Sequence, residues 1–170
     1  PAIRESPKPV IAAVNGAAFA GGLGLVGASD LIITAEEAIF SFSEVKIGVI
    51  PAVIAVVCLP KLGIHNGTRL FLTGERFDGN EAVGYGLAHH AVPAADLMSA
   101  VDTQLEALSL CGPIALQECK KLVHALPQGS MADDFKFAQE WSLKMFRSEE
   151  ASEGMAAFRE KRNPRWVDDP

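Results

Sequence analysis

Residues 8–30 read KPVIAAVNGAAFAGGLGLVGASD, and the class of fold turns on how this stretch is divided. No charged residue lies between Lys8 and Asp30, a run that on length alone could cross a membrane. Its content argues otherwise. Asn15 and the glycines Gly16, Gly21, Gly22, Gly24 and Gly27 weaken a helix, and most of the apolar residues are Ala. Arg4 and Lys8, mixed with Glu5, make no basic flank. The run divides better into a buried strand over 8–14, a glycine-rich turn, and a short helix over 22–28. The strand is β-branched at Val10, Ile11 and Val14 and is closed by the turn dipeptide Asn15-Gly16. No membrane span is expected.

Working outward, LIIT at 31–34 reads as a second buried strand and AIFSF at 38–42 as a short third one. Glu44 falls in a polar link. Pro51 opens an apolar helix at its first turn, and Pro60, Lys61 and Gly63 mark its end. LAHHAV at 87–92 is one more strand. Helical patterning covers 66–72, 79–85, 95–110, 114–125, 130–146 and 149–162. Leu97, Val101, Leu105 and Leu108 share one helix face, as do Met131, Phe135, Ala138, Trp141 and Met145. Core packing or subunit contact is the simplest role for both stripes. The composition turns from glycine-rich and strand-like to helical and charged near residue 95, which predicts an α/β chain with two layers in one unit.

The hydrophobic share of the 170 residues is 49% although only 7% are aromatic, and Ala and Gly together number 40. Close approach of backbone to backbone is therefore expected, and a disordered chain is excluded. The net charge of −6 argues against a nucleic-acid partner. Cys58, Cys111 and Cys119 are odd in number and form no CxxC pair, which predicts a reduced, cytoplasmic protein. The first residues contain no basic segment followed by an apolar one, so no signal peptide is expected. The chain opens on Pro1, as a processed protein or part of a longer one would.

Gly22-Leu23-Gly24-Leu25-Val26-Gly27 has the spacing of a dinucleotide fingerprint. It does not leave the first strand directly. The two helical turns before the strand at 31 also look too few for a parallel crossover, which takes a dozen or more residues. A dinucleotide site is therefore not expected. A glycine turn opening a helix can instead present backbone N–H groups that lack an internal partner. Ala20-Gly21-Gly22 can offer such a group to a developing oxyanion, or can serve only as a tight turn. Glu44 stands alone between Glu37 and Lys46, just before an apolar helix. It is placed either to move protons or to be an ordinary solvated loop carboxylate. His65, His89, His90 and His124 lack the spacing of metal ligands, and no metal is expected. They read as structural or surface residues. The charged run at 147–162 reads as a solvated helix face.

Together, 8–30, AIFSFSEVKIGVIPAVIAVVCLPKLG at 38–63, LFLTGERFDGNEAVGYGLAHHAVP at 70–93 and EGMAAFREKR at 153–162 resemble the crotonase superfamily, the enoyl-CoA hydratase/isomerase group. The resemblance implies a spiral of ββα turns, of which 1–94 is the C-terminal part. It also implies a helical oligomerisation region at 95–170 that builds a homotrimer or a dimer of trimers. The substrate implied is an acyl-CoA thioester, with no cofactor beyond the CoA of the substrate itself. In this group the thioester oxygen becomes enolate-like and is held by two backbone N–H groups. Gly21 matches the source of one, flanked by Ala20 and Gly22, and Glu44 matches the glutamate that moves the proton. Phe158 and Lys161 match positions near the adenine and phosphates of CoA.

Two departures from the family pattern stand out. Typical hydratases carry a second glutamate three residues after the oxyanion glycine, and here that position is Gly24. A single glutamate suits an isomerase, which shuttles one proton between the α and γ carbons. Residues 51–57, PAVIAVV, also replace the glycine-rich run of many hydratases. Hydratase, isomerase, a hydrolase-like or weakened enzyme, and a non-catalytic CoA-binding subunit all follow as readings. The N-terminal turns of the family fold, with the second oxyanion N–H, have no counterpart in these 170 residues.

Overall fold

A computed structural model of the chain describes residues 2–126 and 129–168. Contacts divide it into two units, Pro1–Thr103 and Gln104–Pro170. The first holds α1 (Ala2–Glu5), β1 (Ile11–Val14), β2 (Ala18–Phe19), α2 (Gly21–Ala28), β3 (Leu31–Ala35) and β4 (Ile39–Ser41). A 3-10 turn, Ser43–Ile47, leads to α3 (Ala52–Thr73), β5 (Arg76–Asp78), α4 (Gly79–Gly84) and β6 (His90–Val92), and α5 (Leu97–Ser109) begins in this unit.

The strands alternate between two sheets. One has the order β1-β3-β6 and is parallel throughout; the other has the order β2-β4-β5, with β2 parallel and β5 antiparallel to β4. Successive ββα turns, β1-β2-α2 and β3-β4-α3, therefore wind as the resemblance implied. The segment before the strand at 31 is long enough for a parallel crossover after all. β1 and β3 pair in parallel, Ile11 with Leu31 through Val14 with Thr34, because residues 15–30 as a whole make the crossing. The second sheet's β2 supplies the reach that α2 lacks. The glycine-rich helix thus leaves β2, and the strand after it, β3, lies in the other sheet, so β2-α2-β3 is not the parallel βαβ unit of a dinucleotide site.

β3 is covered on both faces, as the central strand of a parallel sheet must be. Ile32, fully buried, faces Leu23, Val26 and Phe40 in the main core. Ile33, on the opposite face, packs against Leu97 and Val101 of α5. In the second sheet the Phe40 and Phe77 rings stack at 5.4 Å, and Phe42 meets Phe71 at 4.5 Å. Such pairs add to the area they bury. α3 is broken at Gly63, where φ is 68°, so the expected stop near Pro60 is a sharp turn between two helical halves.

His89 ties β3 to the start of β6. Its Nδ1 accepts the Ile32 N–H at 3.0 Å, while the His89 backbone N–H donates to the Ile32 carbonyl at 2.9 Å. Burial, and then the nearby Lys61, lower its pKa below the ordinary 6.5. A group whose folded pKa is depressed loses stability as pH falls through that value. Thermal melts should therefore drop between pH 7 and pH 5 (a range set by the ordinary histidine pKa). The drop should be shallower in His89→Gln, which has no ring to protonate.

The second unit holds the end of α5, α6 (Pro113–Ala125), α7 (Met131–Phe146), α8 (Glu149–Glu160) and α9 (Arg165–Asp168). Polar ties run between its helices. Glu150 accepts the Ile114 and Ala115 N–H groups at 2.9 and 2.7 Å, capping α6 where Gly112 has no side chain to do so. Trp141 donates to Glu118 at 2.8 Å and Trp166 to the Leu110 carbonyl at 3.2 Å. Arg162 grips Glu153 through its two terminal nitrogens, Nη1 and Nη2, holding that carboxyl at about 2. The charged run is thus partly tied, not merely solvated. Of the two stripes, Leu97 and Val101 are core residues. The α7 stripe is not: Met131 and Phe135 are 76% and 70% exposed, and no described residue of α7 is buried.

Candidate active site

Because β2 and β4 run parallel, with Phe19 opposite Ser41, both chains leave the sheet at the same end. β2 passes into Ala20 and Gly21, and β4 passes through Phe42 into the 3-10 turn that carries Glu44. The Ala20 N–H donates to the Ser41 carbonyl at 3.2 Å, extending the ladder by one bond. Ser41 is itself buried and donates its hydroxyl to the Gly74 carbonyl at 2.9 Å. The parallel pair thereby brings together the glycine turn and the glutamate, which are far apart in sequence.

Ala20 has φ 46° and ψ −121°, a conformation that a residue with a Cβ adopts only under constraint. It turns the chain abruptly from strand into α2. The Leu23 N–H is taken by the Ala20 carbonyl at 2.9 Å. The N–H groups of Gly21 and Gly22 lie in the first turn, where no intrahelical acceptor exists, and find none among the described residues. A Cβ on Gly21 or Gly22 would meet nothing within 4 Å. The turn therefore presents backbone donors at the positive end of a helix to open space.

Glu44 is half-buried, and its Oε2 is buried with no hydrogen-bond partner among the described residues. Its own carbonyl accepts the Val49 N–H at 3.2 Å, closing the turn at Gly48, whose φ is 79°. Cys58 lies close enough to feel the Glu44 charge. Burial above all pushes that thiol up to about 12, with Glu44 adding to the rise and Lys61 opposing it. Cys58 stays a neutral thiol, with Sγ 3.6 Å from the Leu23 carbonyl, and is no nucleophile. All three cysteines are free. Among the described residues, no group of three His, Cys, Asp or Glu side chains could hold a metal ion, and no helix is long and apolar enough to cross a membrane.

Gly24 differs from the two glycines before it. A Cβ there would stand 2.6 Å from Cγ2 of Ile54, and one on Gly27 would stand 2.6 Å from Sγ of Cys58. These two glycines face α3 and let the helices close on each other. Phe158 and Lys161 belong to the second unit. Phe158 is 85% exposed on α8, and Lys161 ends that helix in the left-handed region at φ 56°. Ser41 is the residue at this sheet end that sequence reasoning missed. It has no distinguishing neighbour in the chain and matters only through its contact with Gly74.

The family model described as enoyl-CoA hydratase/isomerase matches residues 1–169. A carnitinyl-CoA dehydratase from Proteus mirabilis is 35% identical over 164 residues, covering 94% of this chain and 63% of the relative. The Citrobacter koseri protein of the same name is 36% identical over 171 residues, covering 96% and 65%. Among solved structures, an enoyl-CoA hydratase/isomerase from Marinobacter aquaeolei superposes with a TM-score of 0.91 at 37% identity, over 97% of this chain and 63% of that one. An enoyl-CoA hydratase from Shewanella pealeana gives 0.91 and 37%, over 97% and 62%. The chain thus spans less than two thirds of the length of each of these proteins.

Proposed function

Because the chain belongs to the enoyl-CoA hydratase/isomerase family, we propose that it acts on an acyl-CoA thioester, holding the enolate-like oxygen on the Gly21 N–H and moving the proton with Glu44. One observation carries this reading: Oε2 of Glu44 is buried and unpaired at the sheet end where α2 opens on unpaired N–H groups. A buried polar atom without a partner costs stability. It is retained where a substrate proton supplies the missing partner. The thioester carbonyl binds at the Gly21 N–H, a preorganised donor aimed at the charge that develops. Glu44 then takes a proton from the carbon next to that carbonyl, or returns one to it.

The dehydratase names of relatives support water addition or removal across a carbon–carbon double bond as the reaction class. Migration of the double bond is the second reading. It is favoured by Gly24, which brings no second carboxylate. We assign the exposed Phe158 and Lys161 to contact with the adenine and phosphates of CoA. The exposed apolar face of α7 is assigned to a trimer-based assembly. No cofactor beyond CoA is required.

The test offers the protein a 2-enoyl-CoA and a 3-enoyl-CoA and follows the conjugated enoyl thioester by ultraviolet absorbance. Loss of signal from the first reports hydration, and a gain from the second reports isomerisation. Binding of a CoA thioester with turnover of neither would overturn the reading in favour of a non-catalytic CoA-binding subunit.

A further inference from the structure

We propose that Lys61 is a positioning residue for the oxyanion turn: its ammonium, donating to the Ser29 carbonyl, clamps the far end of α2 and so fixes where the Gly21 N–H points. The inference rests on the assignment of Gly21 given above. It begins with a helix that has little of its own to hold it. Half of the eight residues of α2 are glycine, and glycine in a helix gives up more chain entropy than any other residue. No side chain caps its start, and its last turn carries no basic residue.

What holds α2 is α3. Ile54, Cys58 and Lys61 are spaced four and three apart and share one face of the first half of α3. Ile54 meets α2 at Gly24, where a Cβ would stand 2.6 Å from its Cγ2, and Cys58 meets it at Gly27. Cys58 Sγ also lies 3.6 Å from the Leu23 carbonyl. Lys61 closes the row, with Nζ donating to the Ser29 carbonyl at 3.1 Å. Ser29 is the buried residue that ends α2, its N–H donating to the Val26 carbonyl and its hydroxyl to the Leu25 carbonyl. A cation there meets the negative end of the helix dipole, a role that no residue of α2 fills.

The clamp is itself held. Lys61 is half-buried, and a Cβ at Gly86, whose φ is 80°, would stand 2.8 Å from its carbonyl oxygen. Burial lowers the Lys61 pKa from its ordinary 10.5; Asp30 and Cys58 oppose the fall, and Arg4 adds to it. Oδ2 of Asp30 in turn accepts the Val10 N–H at 2.7 Å. The end of α2 is thus fixed between α3 and the residues that lead into β1. Gly21 sits at the other end of the same helix, about 12 Å away at the usual rise per residue. Freed at Ser29, α2 would tilt about the Gly24 contact and carry the Gly21 N–H off the developing charge. A misplacement of about 1 Å costs on the order of a hundredfold in rate.

The experiment compares four intact proteins. Lys61→Met keeps the apolar stem and removes the donor and the charge, and Lys61→Arg restores both. Asp78→Ala, which removes the cap of α4, is the control for lost stability alone. Each protein, with the wild type, is given a 3-oxoacyl-CoA at fixed pH. Loss of a C2 proton to solvent turns that thioester into its enolate, which has its own ultraviolet band. The wild type should raise the enolate fraction of the bound thioester. Lys61→Met should lower both that enrichment and kcat on the enoyl thioesters at least about tenfold, with KM within about threefold of wild type. Lys61→Arg should recover most of both, and Asp78→Ala should melt lower yet keep both. A lower Tm in Lys61→Met with enolate and kcat intact, a rise in KM alone, or equal losses in Asp78→Ala overturns the proposal. Should Lys61→Met not fold, Lys61→Gln takes its place, and an enolate fraction equal to that of Lys61→Arg overturns the proposal. A wild type that neither enriches the enolate nor turns over a thioester sinks the proposed function and this proposal with it. An active wild type matched by Lys61→Met sinks this proposal alone.

Discussion

Glu44→Gln should leave a folded protein that still binds a CoA thioester but turns it over about 10²–10⁴-fold more slowly, the usual contribution of a positioned acid–base group. The substitution keeps the shape of the side chain and removes only its capacity to take a proton. The fold has little to lose. Glu44 makes no side-chain hydrogen bond among the described residues, and Oε2 is the buried oxygen without a partner. The turn that carries it is closed by backbone bonds, from Val49 to the Glu44 carbonyl and from Gly48 to the Val45 carbonyl. Thermal melting should therefore stay within a few degrees of wild type, about the shift that 1 kcal/mol produces in a chain of this size. Steady-state rates on the 2-enoyl and 3-enoyl thioesters, with thioester binding measured separately, check the prediction. A rate within about tenfold of wild type, with binding intact, would remove Glu44 from the chemistry.

What the sequence could show divides along a physical line. β3 was readable because LIIT at 31–34 is β-branched and uncharged, and a strand buried on both faces needs only that. β2 and β5 were not readable. Ala18–Phe19 and Arg76–Asp78 are too short to carry a pattern, and they are strands only because β4 offers them a partner. The turn at Gly63 was marked by Pro60 and the glycine, and the helical patterning at 66–72 marked the helix beyond it. The glycines of 21–27 were conspicuous as a group, yet they serve two purposes. Gly21 and Gly22 face open space, whereas Gly24 and Gly27 face α3. That division depends on where α3 lies, which no local pattern encodes. Gly21 and Glu44 were each singled out as residues. Their meeting at one sheet end depends on β2 and β4 being parallel, a pairing between short segments separated by a helix and a strand. The α7 stripe, read as core packing or subunit contact, shows the same limit. Periodicity finds an apolar face but cannot tell whether the chain itself covers it.

The same dependence on tertiary approach makes Gly79→Ala the most damaging single methyl in the first unit. Gly79 is the first residue of α4, following the Asp78 cap, whose side chain accepts the Glu81 N–H at 2.8 Å. Its own N–H donates to the Glu36 carbonyl at 3.1 Å, which draws the helix start onto the end of β3. A Cβ there would collide with the Ala35 carbonyl oxygen and stand 3.1 Å from both the Ala35 carbonyl carbon and Cα of Glu36. All three atoms are backbone, so no rotamer change relieves the clash. Moving them would strain the pairing of Ala35 with Val92 and the bond from the Glu36 N–H to the Val92 carbonyl at 2.8 Å. The expected loss is about 3 kcal/mol or more, beyond the usual range for an overpacked core methyl. Melting temperature should fall by about 10 °C. Gly84→Ala at the other end of α4 is the matched control, because a Cβ there meets nothing within 4 Å. That variant should gain up to about 1 kcal/mol from the reduced freedom of the unfolded chain. Since Gly79→Ala receives the same unfolded-state benefit, the difference between the two melts measures the clash itself. Equal melting temperatures would mean that β3 and α4 are not held together as closely as Gly79 requires.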